Sequence, residues 1–208
     1  DALAGLTDGM TIMVGGFLAT GCPDALVDEI LRRGVRNLTL IANDTAMPDR
    51  GYGKLFASGQ IKKVICSYMG LNPTSIAQKL DGTIDAELVP QGTLAERIRA
   101  GGSGLGGILT PTGVGTIVEE GKTKIEIGGR MYLVELPLRA DVALINASIA
   151  DHVGNLVYRK SARNFNPLMA MAADYVVAQT TKVHSIGEID PDLVMTPGVV
   201  VDAVVEVS

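Results

Sequence analysis

The chain has 208 residues, 47% hydrophobic and 4% aromatic with no Trp, and a formal net charge of −5. It carries no basic stripe and little aromatic stacking surface, which argues against nucleic acid as a partner. Its apolar runs also fall short of the roughly 20 residues that cross a bilayer, so no membrane partner is expected.

A core of Val, Ile, Leu, Ala and Met suits buried parallel strands covered by helices, here in one domain over residues 1–208. Cys22 and Cys66 are too few for a disulfide framework and read as cytoplasmic. No secretory signal is read at the start, although the opening inside "DALAGL" leaves an earlier segment open.

In chain order, "TIMV" (11–14) predicts a strand that runs into glycines. "PDALVDEILRRG" then predicts an amphipathic helix, with Pro23 at its start and Gly34 as its stop. Strands follow at "NLTLIAN", "KKVICSY" and "AELVP", alternating with helices at "NPTSIAQKL" and "TLAERIRA". Such alternation argues for parallel βαβ units with right-handed crossovers. "GGSGLGGILTPTGVGT" (101–116) breaks the rhythm, with seven glycines in sixteen residues. "KIEIGGRMYLVE" predicts a β-hairpin turning at Gly128 and Gly129, an antiparallel addition to the βαβ core. The last third predicts a strand at "DVALINAS", a turn at "DHVGN", a strand in "LVYRK", a helix at "PLMAMAAD", a strand at "YVVAQT" and a closing apolar run, "GVVVDAVVEV".

The segment "DGMTIMVGGFLATGCP" (8–23) carries the strongest chemical signal. Glycines between a strand and a helix leave backbone N–H groups at a helix N-terminus, a place for a phosphate, a pyrophosphate or a developing oxyanion; the alternative is a tight turn without a ligand. A P-loop fails because Cys22 and Pro23 stand where Lys and Ser/Thr are needed. "GSGLGG" (102–107) matches G-x-G-x-x-G by letter, but it follows a predicted helix and opens none. His152 and His184 lack metal-ligand spacing, so no metal site is expected. Cys22 reads as a packed thiol, and no glutamate stands out as a buried nucleophile.

The same segment resembles the first signature of family I CoA-transferases: an Asp/Asn–Gly/Asn pair, an apolar run, then G-G-F-x-x-x-G-x-P. Asp8, Gly9, Ile12 to Val14, Gly15, Gly16, Phe17, Gly21 and Pro23 meet it. The resemblance continues through "LTLIANDTA", "LVPQGTLAERIRAGGSGLGGILTPTGVGT" and "GNLVYRKSARNFNPLMAMAAD", and is nearest to α (A) subunits of acetate/acetoacetate-type 3-oxoacid CoA-transferases. It implies an open, mostly parallel α/β sheet with helices on both faces, a topology that ribose-phosphate isomerases share. It also implies CoA transfer between an acyl-CoA and a carboxylate through a glutamyl-CoA thioester, with CoA thioesters as substrates and no permanently bound cofactor. The nucleophilic Glu of that family lies in an S-E-N-G-type motif of the β subunit, which this chain lacks. An αβ or α2β2 assembly follows.

Residue by residue, the resemblance makes Gly15, Gly16, Phe17, Leu18, Ala19, Thr20 and Gly21 the CoA-binding segment, with exposed amides of Gly15, Gly16 and Phe17 facing the thioester. Phe17 is either a direct contact or a wedge that fixes the turn. Asn43 supports an oxyanion or serves, with Asp44, as a turn or cap. Gln91, Gly92, Gly104, Gly106 and Gly107 line the acyl pocket. Arg159, Lys160 and Arg163 meet CoA phosphates or the partner, or simply form a solvated loop. Two other readings remain: a sugar-phosphate isomerase-like enzyme and a non-catalytic acyl-CoA-binding module.

Overall fold

The computed structural model describes residues 1–207. The first half alternates strand and helix: β1 (Thr11–Val14), α1 (Asp24–Arg33), β2 (Leu38–Ile41), α2 (Gly53–Ala57), β3 (Ile61–Cys66), α3 (Pro73–Leu80), β4 (Asp85–Leu88) and α4 (Gln91–Gly102). Three strands then stand apart: β5 (Ile108–Thr110), β6 (Lys124–Ile127) and β7 (Arg130–Glu135). The chain returns through β8 (Ala140–Asn146), β9 (Ile149–Asp151), β10 (Leu156–Val157), α5 (Asn166–Ala170), β11 (Ala173–Thr180), β12 (Val183–His184) and β13 (Ala203–Glu206).

The main sheet has seven strands in the order β13-β11-β8-β1-β2-β3-β4, and every neighbouring pair is parallel. Side chains alternate across it. Ile12, Val14, Leu40 and Val64 pack with Leu26, Val27 and Ile30 of α1 on one face. Met13, Ile41, Ile65 and Ile145 pack with Leu94 and Ile98 of α4 and Met169 of α5 on the other. Burial on both faces explains why these strands read as nearly continuous apolar runs. From β1 the chain builds outward to β4 on one side, then returns to β8, β11 and β13 on the other. The strand order therefore reverses between β1 and β8, where open α/β sheets open a crevice at the carboxyl ends of their strands. The glycine loop after β1 starts at that point.

Several expectations shift in detail. The glycine hairpin forms, with φ +59° at Gly128 and +75° at Gly129, but β6 and β7 join β5 in a separate antiparallel sheet. The helix expected over 167–174 ends at Ala170, because Ala173 already pairs with Ala140 in the main sheet. Helix α4 starts earlier than expected, with Gln91 and Gly92 in its first turn. The strand in "LVYRK" keeps only Leu156–Val157, and the closing apolar run is a 3-10 turn (Gly198–Val200) before β13. Helix α2 was not legible: it is five residues long and starts on a glycine.

Candidate active site at the carboxyl edge of the sheet

After β1 the backbone continues the sheet for one residue, as Gly15 N donates to Leu144 O at 2.9 Å. A Cβ on Gly15 would stand 1.8 Å from Oδ1 of Asn166, so this position has no room for a side chain. Gly16 has φ +135°, and its Cβ would face Tyr52 and Cys22 in the interior. These glycines are required by packing inside the protein.

The expected exposed amides are not present. Gly15 N is spent on the sheet, Gly16 N donates to Asn164 Oδ1 at 3.1 Å, and Phe17 N donates to Thr20 O at 3.0 Å. Gly15 and Gly16 are buried. The start of α1 is also occupied: Gln179 Oε1, from β11, accepts from Ala25 N at 2.9 Å and Leu26 N at 3.3 Å. The sequence could not show this, since acceptor and loop lie about 150 residues apart.

Phe17 to Thr20 instead form a miniature hairpin, with Thr20 N returning a bond to Phe17 O at 2.9 Å. Leu18 (φ +47°) and Ala19 (φ +68°) make its tip. Non-glycine residues in this left-handed region cost roughly 1–2 kcal/mol each. Asp44 holds the strained tip by accepting from Leu18 N at 2.9 Å. The same buried carboxylate accepts from Asn43 Nδ2 (2.8 Å), Ala46 N (2.7 Å) and Tyr52 OH (3.0 Å). From below, Asn164 Nδ2 donates to Thr20 O (3.0 Å) and Asn166 Nδ2 to Gly21 O (3.1 Å). The asparagines of "RKSARNFNP" thus fix the loop, while Arg159, Lys160 and Arg163 remain exposed.

Asn43 follows β2 and is buried beside this joint. Its Oδ1 accepts from Gln91 Nε2 at 2.7 Å, bringing together two of the residues singled out from the sequence. Ser67 Oγ donates to the Asn43 carbonyl at 2.7 Å. An amide nitrogen carries two hydrogens, and one of those on Asn43 is taken by Asp44.

Two hollows flank the miniature hairpin. One, about 300 Å³, is lined by Phe17, Gln91, Gly92, Ala95, Asn164, Phe165 and Leu168. The other, about 340 Å³, is polar and lined by Leu18, Ala19, Thr20 and the charged side chains of Asp24, Asp49, Arg50 and Lys54. Gly104, Gly106 and Gly107 line neither, lying in the turn between α4 and β5. A third hollow, about 500 Å³, lies near that turn and is lined by Gly92, Thr93, Glu96 and residues of β5.

The remaining reactive groups are subdued. Burial pushes the Cys22 thiol far up and the Cys66 thiol up to about 12, which keeps both protonated and inert at neutral pH. Glu135 is buried but paired with Lys122, and Glu29 and Glu96 are partnered by Arg32 and Arg99 on their helices. Among the described residues no cluster of His, Cys, Asp and Glu could hold a metal ion, and no helix is long and apolar enough to cross a membrane.

The model of the coenzyme A transferase family matches residues 1–207. The chain belongs to the coenzyme A transferase family. It is 54% identical over 205 residues to the acetate CoA-transferase subunit alpha of Escherichia coli K12, covering 99% of this chain and 93% of that one. It is 51% identical over 199 residues to the acetoacetyl-CoA:acetate/butyrate CoA transferase alpha subunit of Clostridium acetobutylicum, covering 96% and 91%. An acyl-CoA transferase from E. coli O157:H7, solved as a thioester complex with CoA, superposes with a TM-score of 0.84 at 26% identity. That superposition covers 99% of this chain but 46% of the longer one, so this chain spans about half of that enzyme. In this family the chain is an α subunit of the CoA-transferase enzyme, and its parallel sheet agrees with that membership.

Proposed function

We propose that this chain, as one α-subunit domain, binds and positions CoA thioesters for a short-chain acyl:carboxylate CoA-transferase of the acetate or acetoacetate type. A β subunit supplies the nucleophilic glutamate, in an αβ or α2β2 assembly. The observation that supports this most is the meeting of Asn43 and Gln91 at 2.7 Å beside a groove whose lining includes Phe17 but no carboxylate. Such a site can orient a carbonyl and stabilise its charge, while the attacking group comes from elsewhere.

In this reading the partner's carboxylate attacks the acyl-CoA carbonyl and CoA leaves as its thiolate, forming an acyl-glutamyl anhydride. The thiolate then attacks the glutamyl carbonyl and releases the first carboxylate, forming the glutamyl-CoA thioester. The acceptor carboxylate reverses both steps. At each addition the carbonyl oxygen becomes an oxyanion, and the second N–H of Asn43 stabilises it, with Gln91 and Asp44 holding the amide in place. The rigid Phe17–Thr20 hairpin sets the wall against which the thioester lies, with Gly15 to Gly21 as its frame. CoA enters and leaves as a substrate, so no resident cofactor is invoked. The inert, free thiols suit the cytoplasm.

The test is transfer of CoA from acetoacetyl-CoA to acetate by this chain alone, by its cognate β subunit alone, and by the two mixed. Activity only in the mixture is expected. Transfer by the lone chain, or isomerisation of a sugar phosphate by it, would overturn the proposal; tight acyl-CoA binding without activity in the mixture would make it a binding module.

A further inference from the structure

The β5–β7–β6 sheet presents an exposed apolar face and, in β6, an exposed outer strand. Cross-strand partners Ile125↔Tyr132, Ile127↔Arg130 and Leu109↔Val134 put these side chains on one face. Leu109, Ile125 and Ile127 are 43%, 40% and 52% exposed there, with the Arg130 guanidinium 5.6 Å from the Tyr132 ring. The opposite face carries Leu133 and Glu135, both buried against the body. Strand β6 is exposed along its whole length and is an outer strand of this sheet.

The hairpin fixes which groups face outward. Because Gly128 and Gly129 form a two-residue turn, Ile127 and Ile125 exchange backbone bonds with β7, and the N–H and C=O groups of Lys124 and Glu126 point away from it. On β6 a second strand can dock only on these two residues. For a second copy arriving antiparallel about a two-fold axis, three registers are possible. One sets Lys124 opposite Lys124, one sets Glu126 opposite Glu126, and one sets each Lys124 opposite the other copy's Glu126. Only the last pairs opposite charges, and it does so twice. It also forms four backbone hydrogen bonds, places Ile125 opposite Ile125, and joins the two apolar faces into one.

We propose that this edge is the contact between two copies of the chain, in that register, making a continuous six-stranded sheet. An unpaired exposed strand with apolar residues is a template for pairing, and here the charge pattern is self-complementary. Within one copy Lys124 also bridges Glu119 at 3.0 Å, so the lysine is shared between the two carboxylates.

The test uses the full chain in complex with its β subunit. In the proposed register residue 125 meets itself at a non-hydrogen-bonded pair, where Cα atoms lie about 4.5 Å apart and a disulfide can close. Cys22 and Cys66 are buried, so a mild oxidant reports on an introduced thiol. Ile125→Cys is expected to give a covalent pair of these chains, and Ile127→Cys none. Separately, Glu126→Lys sets lysines opposite each other and is expected to weaken self-association about tenfold, by sedimentation. Adding Lys124→Glu is expected to restore it. A dimer that forms without cross-linking at 125, cross-linking at 127, or a complex with a single copy of this chain would each overturn the proposal. So would a double variant no tighter than Glu126→Lys, and wild-type CoA transfer accompanying any of these would show that only the interface was wrong.

Discussion

Two hairpins in this molecule turn through two left-handed residues, and they are built from opposite materials. Between Ile127 and Arg130 the turn is Gly128–Gly129, which visits that region freely; between Phe17 and Thr20 it is Leu18–Ala19, which does not. The first stands in solvent, held by its own strands. The second is held by Asp44 above and by Asn164 and Asn166 below. A strained turn persists only where its surroundings over-determine it, and such turns gather at functional sites. The contrast separates a turn that closes a sheet from one that tertiary bonds hold in a strained shape.

The hardest way to break that contrast is to remove the clamp. Gly15→Ala drives a methyl into Asn166 and should destabilise the chain by about 3 kcal/mol or more, read as a large fall in melting temperature or a loss of folded protein. Gly16→Val should behave alike, because its side chain enters the core and not the ligand space. In the proposed role of Asn43, Asn43→Ala acts on the chemistry: with the β subunit present, kcat should fall about 100-fold with KM little changed, the loss typical of an oxyanion donor.

A pH scan probes the packing behind the site. The folded-state value for Cys66 is raised from 9.0 to about 12 by burial, so the unfolded chain loses this proton first. Stability is then complete below pH 9 and falls by up to about 1.4 kcal/mol per pH unit as pH rises toward 12. Cys66→Ala should flatten that part of the alkaline melting profile; an unchanged slope would remove Cys66 as its source. The smallest effects compare the two turns directly. Gly129→Ala should cost about 1 kcal/mol, whereas Ala19→Gly should stabilise by about 0.5–1 kcal/mol in thermal melts while lowering turnover.

Much of this was legible in the sequence. Alternating βαβ units, the Gly128–Gly129 turn and the motif around Gly15 rest on local patterns, and the structure and comparisons agree with them. The sequence also pointed to Asn43 and Gln91 separately. It could not show that they touch, nor that the amides of Gly15 and Gly16 are spent internally, because their acceptors, Leu144 O and Asn164 Oδ1, arrive from much later in the chain. The Leu18–Ala19 turn was hidden for a different reason: it carries no glycine at its tip, and tertiary bonds override the local preference.

In the proposed division of labour this subunit shapes the site and its partner forms the covalent bond. Intact-mass spectrometry of both subunits, quenched during turnover with acetoacetyl-CoA, tests it most directly. A CoA thioester on the β subunit alone is the predicted result; a CoA adduct on this chain would contradict it.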